Sequence, residues 1–535
     1  MRRRALFLYI LLGAVFSGLL AGLYRIAVDK TSTVAASQSS RSLTVATSRG
    51  TIYDADMIPL VNAETEYRAA LGPDENLLSH IRGSTDPDAY KWLCDQLAEG
   101  SPASVKLLSP VGPMQGMKLY SVPVRYGERL PAPHLIGYLD DSGQHGVTGI
   151  EKACDTVLNR YSGKATAVFT VDGKGRCLLG VDPDSSNTTG RSAGGVCLTI
   201  RSDIQKAVED ISPQYMTKGA VVMMDPYSGE ILAMASFPSF QPDRIASAVK
   251  SEDGALINRA LSLFDCGSVF KIVTASAALE YGVLPPQVFS CSGAINVNGT
   301  VFHCHNRLGH GSLDMMQAFA KSCNVYFIRL AEQIGGGTLF GKATDLGFGR
   351  AITLAPGLAA PASLLPDAET VRNNPAALAN FSFGQGYLMA TPLHICQMTA
   401  AIANGGTLPQ THIIRGYANE NGQFTAEKIG NGYSVLNAET AETVQSMMRE
   451  VVLTGTGRQA QGKSVQVAGK TGTAETGQSG GDKPVVQSWF SGFFPADDPL
   501  YVITVLAEDS QNTDGKTAAL VSALADAVMA IREEK

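Results

Sequence analysis

The hydrophobic pattern is most continuous at the N-terminus, where residues 5–24 carry no charge. A helix of about 20 apolar residues spans a bilayer core, so this run predicts a transmembrane helix. Three arginines directly before it favour a cytoplasmic location for residues 1–4. A cleaved signal peptide is the alternative, but the run is long for one and no clear Ala-x-Ala site follows. We therefore expect a single-pass anchor, with the rest of the chain outside the cell.

Polar segments divide the chain after this anchor. Residues 25–48 are rich in Ser and Thr and poor in apolar residues, which predicts a stalk. Residues 49–195 mix short strand-like runs, turns and polar loops, and we find no plausible catalytic set among them. We interpret this region as a non-catalytic pedestal or interaction domain. A second domain then extends over residues 196–535.

In the second domain, strand-like apolar runs lie near both ends and helical patterns lie between them. A tight turn that contains Pro226 and Gly229 joins two of the strands into a hairpin. Strands near both ends imply one sheet assembled from distant segments, which is an α+β arrangement. The predicted strands are 196–200, 220–224, 230–235, 488–494 and 501–506, and the predicted helical segments are 203–211, 268–280, most of 313–404, and 517–531.

Composition narrows the classes of function. The chain has 535 residues, of which 44% are hydrophobic and 17% charged, as in globular proteins of more than one domain. The formal net charge is −6 and the sequence contains no long basic run. Nothing therefore indicates nucleic-acid binding.

The first candidate for chemistry is Ser268-x-x-Lys271, which follows Gly267 and precedes an apolar, alanine-rich run. A helix that begins near Ser268 places the serine and the lysine on one face, one turn apart. Apolar neighbours that desolvate Lys271 would lower its pKa and leave a neutral amine to take the serine proton. The Ser268 N–H would help to hold the oxyanion of acyl transfer. An isolated match is weak evidence, because Ser247-x-x-Lys250 has the same spacing in a polar stretch.

A second candidate is Ser322-x-Asn324, which lies beside an apolar run. Ser322 could relay a proton to a leaving amine, and Asn324 could hold a substrate amide and Lys271. The pattern alone equally describes a serine with a capping role at the start of a helix. Ser185-x-Asn187, in a polar stretch, shows how readily the pattern arises.

The third candidate is Lys470-Thr471-Gly472-Thr473, at the end of a strand-like run. The lysine supplies a cation and the two threonines supply hydroxyls, which together suit a substrate carboxylate. Gly472 has no side chain, so a substrate backbone could approach this strand and pair along it. The Thr473 N–H would be the second oxyanion donor. Taken alone, the segment is also compatible with a solvated loop.

The three motifs occur in the order Ser-x-x-Lys, Ser-x-Asn, Lys-Thr-Gly, and with them the chain resembles the class B penicillin-binding proteins. The resemblance covers most of the chain. It implies a penicillin-binding, β-lactamase-like transpeptidase domain, with an antiparallel sheet and helices on both sides. A membrane anchor and an elongated N-terminal pedestal or dimerisation domain would precede it. Further matching segments are 49–54, 225–234, 382–386, 391–393 and 455–457.

This resemblance implies a monofunctional peptidoglycan D,D-transpeptidase of the bacterial cell membrane. A D-Ala-D-Ala stem peptide would acylate Ser268 and release D-Ala, and an amine of a neighbouring stem peptide would then take the acyl group. β-Lactams would acylate the same serine and leave slowly. No cofactor is expected for catalysis. The expected catalytic residues are Ser268, Lys271, Ser322, Asn324 and Lys470, and the expected substrate-binding residues are Thr471, Gly472 and Thr473.

Two other functions share parts of this pattern. A β-lactamase or D,D-carboxypeptidase uses the same serine and lysine, although no identifiable Glu-bearing element is present to activate a deacylating water. A non-enzymatic β-lactam sensor would need a signalling domain. A non-enzymatic scaffold would usually have lost a motif residue, and none is missing here. By resemblance, the expected partners are cell-wall assembly proteins, including a membrane-embedded glycosyltransferase of the SEDS type. The sequence leaves division, elongation and sporulation open.

The chain also has nine cysteines, an odd number for a protein expected outside the cell. Three cysteines and one histidine that follow the Ser-x-x-Lys motif supply thiolate and imidazole ligands of the types that bind tetrahedral zinc. Some elongation-type relatives resemble this and hold a metal at the matching places. A structural zinc is one interpretation of this set, and a disulfide between the first two cysteines or free buried thiols are the others. The four residues are Cys291, Cys304, His310 and Cys323.

Overall fold

The structure is a computed structural model that describes residues 2–25, 39–480, 483–510 and 515–534. Its helices are α1 (Arg2–Arg25), α2 (Glu75–Ile81), α3 (Pro87–Ala98), α4 (Pro133–Ile136), α5 (Gly149–Ala153), α6 (Asp155–Arg160), α7 (Ser202–Ile211), α8 (Ile245–Val249), α9 (Lys271–Tyr281), α10 (Met315–Ala320), α11 (Asn324–Ile334), α12 (Gly336–Asp345), α13 (Ala368–Asn373), α14 (Pro375–Ser382), α15 (Pro392–Ala403), α16 (Ala438–Leu453) and α17 (Lys516–Glu533).

Its strands are β1 (Ser40–Ser48), β2 (Thr51–Tyr53), β3 (Glu64–Leu71), β4 (Ala103–Leu107), β5 (Met117–Val124), β6 (Gly163–Thr170), β7 (Asp184–Asn187), β8 (Gly195–Leu198), β9 (Gly219–Met224), β10 (Ile231–Phe237), β11 (Phe264–Asp265), β12 (Phe289–Cys291), β13 (Ala294–Val297), β14 (Thr300–His303), β15 (Gly311–Leu313), β16 (Ile352–Ala355), β17 (Leu358–Ala360), β18 (Met389–Ala390), β19 (Thr407–Leu408), β20 (Ile414–Ala418), β21 (Phe424–Ala426), β22 (Tyr433–Ser434), β23 (Ala468–Gly480), β24 (Lys483–Phe494) and β25 (Tyr501–Ser510).

Helix α1 contains the predicted transmembrane run. Its apolar part, Arg4–Arg25, has a mean hydropathy of 2.3 and is not buried by any described residue of the chain. Among the described residues it is the one helix that is long and apolar enough to cross a membrane. It therefore fits a single N-terminal membrane anchor.

The chain forms two compact units. The first comprises Met1–Gly50, Asn62–Arg125 and Tyr161–Ala193. It contains the antiparallel sheet β4-β3-β5, whose apolar face packs against α2 and α3, and the antiparallel sheet β1-β6-β7. Strands β4 and β6 bury alternate side chains, as strands with one covered face do.

The predicted stalk is wrong where the structure describes it. Ser40–Ser48 forms strand β1, which pairs with β6 from Ser40 opposite Thr170 to Ser48 opposite Gly163. Val45 is buried in the core of this sheet, so a Ser- and Thr-rich segment becomes a strand once it has a partner. The remainder of the predicted stalk, residues 26–38, lies outside the described residues.

The second unit comprises Thr51–Val61, Tyr126–Arg160 and Gly194–Lys535. The predicted limits at 49–195 and 196–535 therefore do not follow the compact units. The physical reason is a long-range pairing, because β2 lies parallel to β8 with Thr51 opposite Gly195. Ile52 of β2 is fully buried in the core of this second unit.

The core of the second unit is an antiparallel sheet of five strands in the order β10-β9-β25-β24-β23. Its strands come from both ends of the domain, and the predicted α+β class is confirmed. Val221 and Met223 on β9 belong to the cluster that α7 and α17 cover, whereas Val222 and Met224 face the larger helical cluster. Helices therefore cover both faces of the sheet, and β23 forms one edge.

Two helices of the larger cluster fix the position of the site. All residues of α15 are buried, and α9 is buried from Lys271 to Ala278. A short 3-10 turn, Gly267–Phe270, leads directly into α9 and lies against the edge strand β23. The sequence thus places its helix start beside the strand that carries the Lys-Thr-Gly motif.

Candidate functional site

The turn Gly267–Phe270 holds Ser268 at the edge of the sheet. Gly267 has φ +58°, a left-handed conformation that glycine adopts without strain. A methyl group at Gly267 would lie 2.6 Å from the carbonyl oxygen of Thr473. The Gly267 N–H donates to the carbonyl oxygen of Gly384 at 2.8 Å, and Val269 and Phe270 are fully buried. Ser268 is half-buried, so its hydroxyl is presented from a rigid turn.

Lys271 begins α9 with a fully buried side chain. Its Nζ lies 3.0 Å from Ser268 Oγ and 3.2 Å from Ser322 Oγ. It also donates to the Ser322 carbonyl oxygen and to Asn324 Oδ1, each at 2.7 Å. The last two atoms are pure acceptors and use two amine hydrogens. A neutral amine would then have its lone pair left for a hydroxyl proton.

Burial determines the charge of the lysines in this site. Loss of hydration lowers the pKa of Lys271 to about 8, partly opposed by the nearby thiols of Cys323 and Cys304. Burial, and then the proximity of Lys271, holds the pKa of Lys470 well below its ordinary value. No ion pair of either lysine is found among the described residues. The site is therefore a dry pocket with two amines and no carboxylate partner from the described chain.

Ser322 and Asn324 lie where α10 ends and α11 begins. Ser322 has φ +52°, which is strained for a residue with a side chain, and only 8% of it is exposed. Asn324 accepts from Lys271 through Oδ1 and donates through Nδ2 to the carbonyl oxygen of His303 at 3.1 Å. Both residues of the second motif are thus tied to Lys271 before any substrate arrives.

The strand β23 carries the third motif along the other side of the turn. Lys470 is fully buried and donates to the carbonyl oxygen of Thr471 at 3.0 Å. Thr471 Oγ1 lies 2.5 Å from Thr456 Oγ1, and the Thr456 N–H donates to the Ala320 carbonyl oxygen at 3.1 Å. Thr473 is exposed. Two hydroxyls and one buried lysine amine therefore line this edge of the sheet.

Gly472 also permits a close approach within the chain that the sequence did not predict. A methyl group at Gly472 would lie 3.0 Å from Val269 Cγ1 and 3.1 Å from Trp489 Cβ. The missing side chain thus faces the serine turn and a neighbouring strand. The glycine allows the Ser-x-x-Lys turn to pack onto β23, which sets the distance between the first and third motifs.

Three residues beside the site were not selected from the sequence. Thr456 lies in the segment 455–457, which was noted only as a matching segment. Phe319 and Phe327 are fully buried rings that lie near the two lysines. Their spacing could have identified them, because Phe319 precedes Ser322 by three residues and Phe327 follows Asn324 by three residues.

The two look-alike patterns lie elsewhere. Ser247 and Lys250 are exposed on and beside the short helix α8, and the Ser247 hydroxyl donates to the Arg244 carbonyl oxygen at 2.7 Å. Ser185 and Asn187 are exposed on β7. Neither pair is buried, so spacing alone did not identify the site.

The predicted metal ligands converge beside the second motif. Their ligand atoms all lie within 4.8 Å of one another. His310 Nδ1 is 3.6 Å from Cys291 Sγ and 3.5 Å from Cys304 Sγ, and the Cys304 and Cys323 sulfurs are 3.9 Å apart. The described cysteines form no disulfide.

These distances suit a tetrahedral metal site. Bond lengths of about 2.3 Å to sulfur and 2.0 Å to nitrogen place the ligand atoms of tetrahedral zinc about 3.5 to 3.8 Å apart. All three cysteines are buried and the histidine is half-buried. A closed site of four protein ligands is typical of structural zinc and leaves no position for a substrate.

Ser268, Lys271, Ser322, Asn324 and Lys470 lie together at the edge of the sheet, as the three ordered motifs of the penicillin-binding class predict. A family model described as the penicillin binding protein transpeptidase domain matches residues 219–529, and the chain belongs to this family. The family predicted from the three motifs is confirmed.

Three relatives show the extent of the similarity. Stage V sporulation protein D of Bacillus subtilis is 31% identical over 71% of this chain and 59% of its own. Peptidoglycan D,D-transpeptidase PbpA of Mycolicibacterium smegmatis is 28% identical over 82% of this chain and 88% of its own. The crystal structure of the D,D-transpeptidase domain of a peptidoglycan glycosyltransferase from Eggerthella lenta has a TM-score of 0.67 at 27% identity, covering 91% of this chain and 99% of that chain. The chain spans about 60% of the length of the first curated relatives it matches.

Proposed function

We propose that this protein is a peptidoglycan D,D-transpeptidase that works through an acyl-enzyme on Ser268. The observation that carries the proposal is the 3.0 Å contact between Ser268 Oγ and Lys271 Nζ in a buried pocket. A serine hydroxyl needs an adjacent base, and a buried lysine without a carboxylate partner is a suitable one. Membership of the penicillin-binding family supports the choice of substrate.

In the acylation step, the neutral Lys271 amine takes the Ser268 proton as Oγ attacks the carbonyl carbon between the two D-alanines. Two amine hydrogens stay on Ser322 O and Asn324 Oδ1, which aim the lone pair at the hydroxyl. The Ser268 and Thr473 N–H groups would hold the oxyanion, since the turn and β23 lie in contact. The new Cα–C(=O)–O–Ser268 ester forms as the peptide C–N bond breaks.

The leaving D-alanine needs a proton on its amine. Ser322 Oγ lies 3.2 Å from Lys271 Nζ, so it can pass the proton from the lysine to the departing nitrogen. The terminal carboxylate of the stem peptide would bind to Lys470 and the hydroxyls of Thr471 and Thr473. An acceptor amine of a second stem peptide then attacks the ester and forms the cross-link. Its proton moves along the same path in the reverse direction and returns to Ser268 Oγ.

A β-lactamase or D,D-carboxypeptidase is the second candidate function, because either uses the same serine and lysine. Both transfer the acyl group to water and not to an amine. Within the described residues, the contacts of Ser268 and Lys271 include no carboxylate that could activate a deacylating water. This observation favours a long-lived acyl-enzyme, as transfer to an amine requires.

The test is labelling with a fluorescent penicillin. The wild-type chain should acquire one covalent label that persists through denaturation, and the Ser268→Ala variant should acquire none. Ser247→Ala, at the exposed look-alike site, is the matched control and should label like the wild type. Equal labelling of Ser268→Ala would reject the nucleophile. Rapid loss of the label would favour the β-lactamase function instead.

We also propose a topology and partners for the whole protein. Residues 1–4 are cytoplasmic, α1 is the anchor, and the parts of both compact units that follow α1 lie outside the cell. The first unit serves as the pedestal or dimerisation module, and a SEDS-type glycosyltransferase supplies the glycan strands that this chain cross-links. Protease added to intact spheroplasts should degrade the parts of both units that follow α1 and leave α1 protected. Survival of the second unit would reject this orientation.

The cluster of Cys291, Cys304, His310 and Cys323 is proposed to hold a structural zinc ion. The spacing of its ligand atoms supports this proposal. Cys323 lies between Ser322 and Asn324, which both contact Lys271. A bound metal would therefore fix the strained loop that carries these two residues. The metal would act through the fold alone, because the four protein ligands would complete a tetrahedral site.

A further inference from the structure

Each lysine of the site lies over a phenylalanine ring. Lys271 Nζ is 5.6 Å from the centroid of the Phe327 ring, and Lys470 Nζ is 5.7 Å from the centroid of the Phe319 ring. Both distances are within the range in which an ammonium group is attracted to the face of an aromatic ring. The two rings contact each other, with centroids 6.1 Å apart.

Lys470 has few other means of stabilising a charge. Within the described residues, its one hydrogen bond goes to the Thr471 carbonyl oxygen, and no carboxylate lies in ion-pair range of it. Lys271 lies close enough to repel it. A fully buried ammonium in this position loses its hydration and gains one neutral acceptor and one ring. Among the described residues, the ring of Phe319 is therefore the aromatic surface that offsets this loss.

We propose that Phe319 is a positioning residue that keeps Lys470 cationic and aimed at the substrate cleft, and thereby sets the affinity for a substrate carboxylate. This inference rests on the proposed function. The ring does not touch the substrate, because Phe319 is fully buried within α10. It acts through its negative face, which favours the ammonium form of the lysine over the neutral amine.

The geometry of one short segment makes this coupling specific. Phe319 precedes Ser322 by three residues, and Phe327 follows Asn324 by three residues. The same stretch therefore supplies the hydroxyl, the amide and the ring beneath each lysine. A change of the Phe319 ring should alter recognition of the carboxylate, since Lys470 is the cation that the substrate carboxylate would meet.

The test replaces Phe319 with phenylalanine carrying two and then three ring fluorines, which withdraw charge from the face with little change in shape. The second-order acylation rate constant is measured with benzylpenicillin and with its methyl ester, which lacks the carboxylate. With benzylpenicillin, the rate constant should fall steadily, by about 3- to 30-fold over the series. With the ester it should stay within about twofold, because the ester carries no charge for Lys470 to bind.

The matched control is the same series at Phe381, a buried ring that packs on Phe270 and not on an ammonium group. Its rate constants should be unchanged. Constant rates with benzylpenicillin across the Phe319 series would overturn the inference, as would an equal fall for both probes or the same fall at Phe381. If penicillin fails to acylate the unfluorinated chain, the proposed function fails and this inference fails with it.

Discussion

The pH dependence of acylation follows directly from the buried Lys271. Burial lowers its pKa to about 8, so the amine is mostly neutral above that pH and mostly protonated below it. Only the neutral form can take the Ser268 proton. The neutral fraction falls about tenfold for each pH unit below the pKa. The rate constant for acylation at pH 6 should therefore be about one hundredth of a plateau reached above pH 9.

The assay is stopped-flow acylation by a fluorescent penicillin between pH 6 and pH 10, with the Ser268→Ala signal subtracted. Lys271→Arg should abolish the rise, because a guanidinium group stays protonated throughout this range. Lys250→Arg, at the exposed look-alike site, should reproduce the wild-type curve. A rate constant that is equal at pH 6 and pH 9, or one that falls as the pH rises, would refute the assignment of Lys271 as the base.

Three further substitutions test separate parts of the site. Gly267→Ala puts a methyl group 2.6 Å from Thr473 O. The acylation rate constant should fall by about 100-fold because one oxyanion donor moves away. An unchanged rate constant in the stopped-flow assay would contradict this. Thr471→Val removes a hydroxyl from the carboxylate site and should slow benzylpenicillin acylation by about 10- to 100-fold, with the methyl ester nearly unaffected; an equal loss for both probes would count against a carboxylate role. Cys304→Ser should reduce bound zinc to well below one per chain, as measured by mass spectrometry of the metal. Cys396→Ser should retain the zinc, and equal zinc in both variants would exclude this site.

The sequence predicted the motifs because their chemistry is local. Gly267 before Ser268, and the apolar run after Lys271, were enough to place a helix start with the two side chains one turn apart. The antiparallel sheet also followed, since its strands are marked by apolar runs near both ends of the domain.

Long-range contacts were outside the reach of the sequence pattern. The strand Thr51–Tyr53 joins the second unit only through its pairing with Gly195–Leu198, which no local signal predicts. The stacking of Lys470 over Phe319 likewise depends on how α10 packs against β23. The packing of the serine turn against Gly472 was not predicted for the same reason, because Val269 and Gly472 are far apart in the sequence.

The most direct test of the central claim identifies the acylated residue and the fate of its acyl group. The chain is mixed with a thioester analogue of a D-Ala-D-Ala stem peptide, with and without an acceptor amine, and peptides are mapped by mass spectrometry. We predict that the acyl group is found on the peptide containing Ser268, and that the acceptor removes it as an amide-linked product. An acyl group on Ser247 or Ser322, or its release to water alone in the presence of the acceptor, would contradict the account.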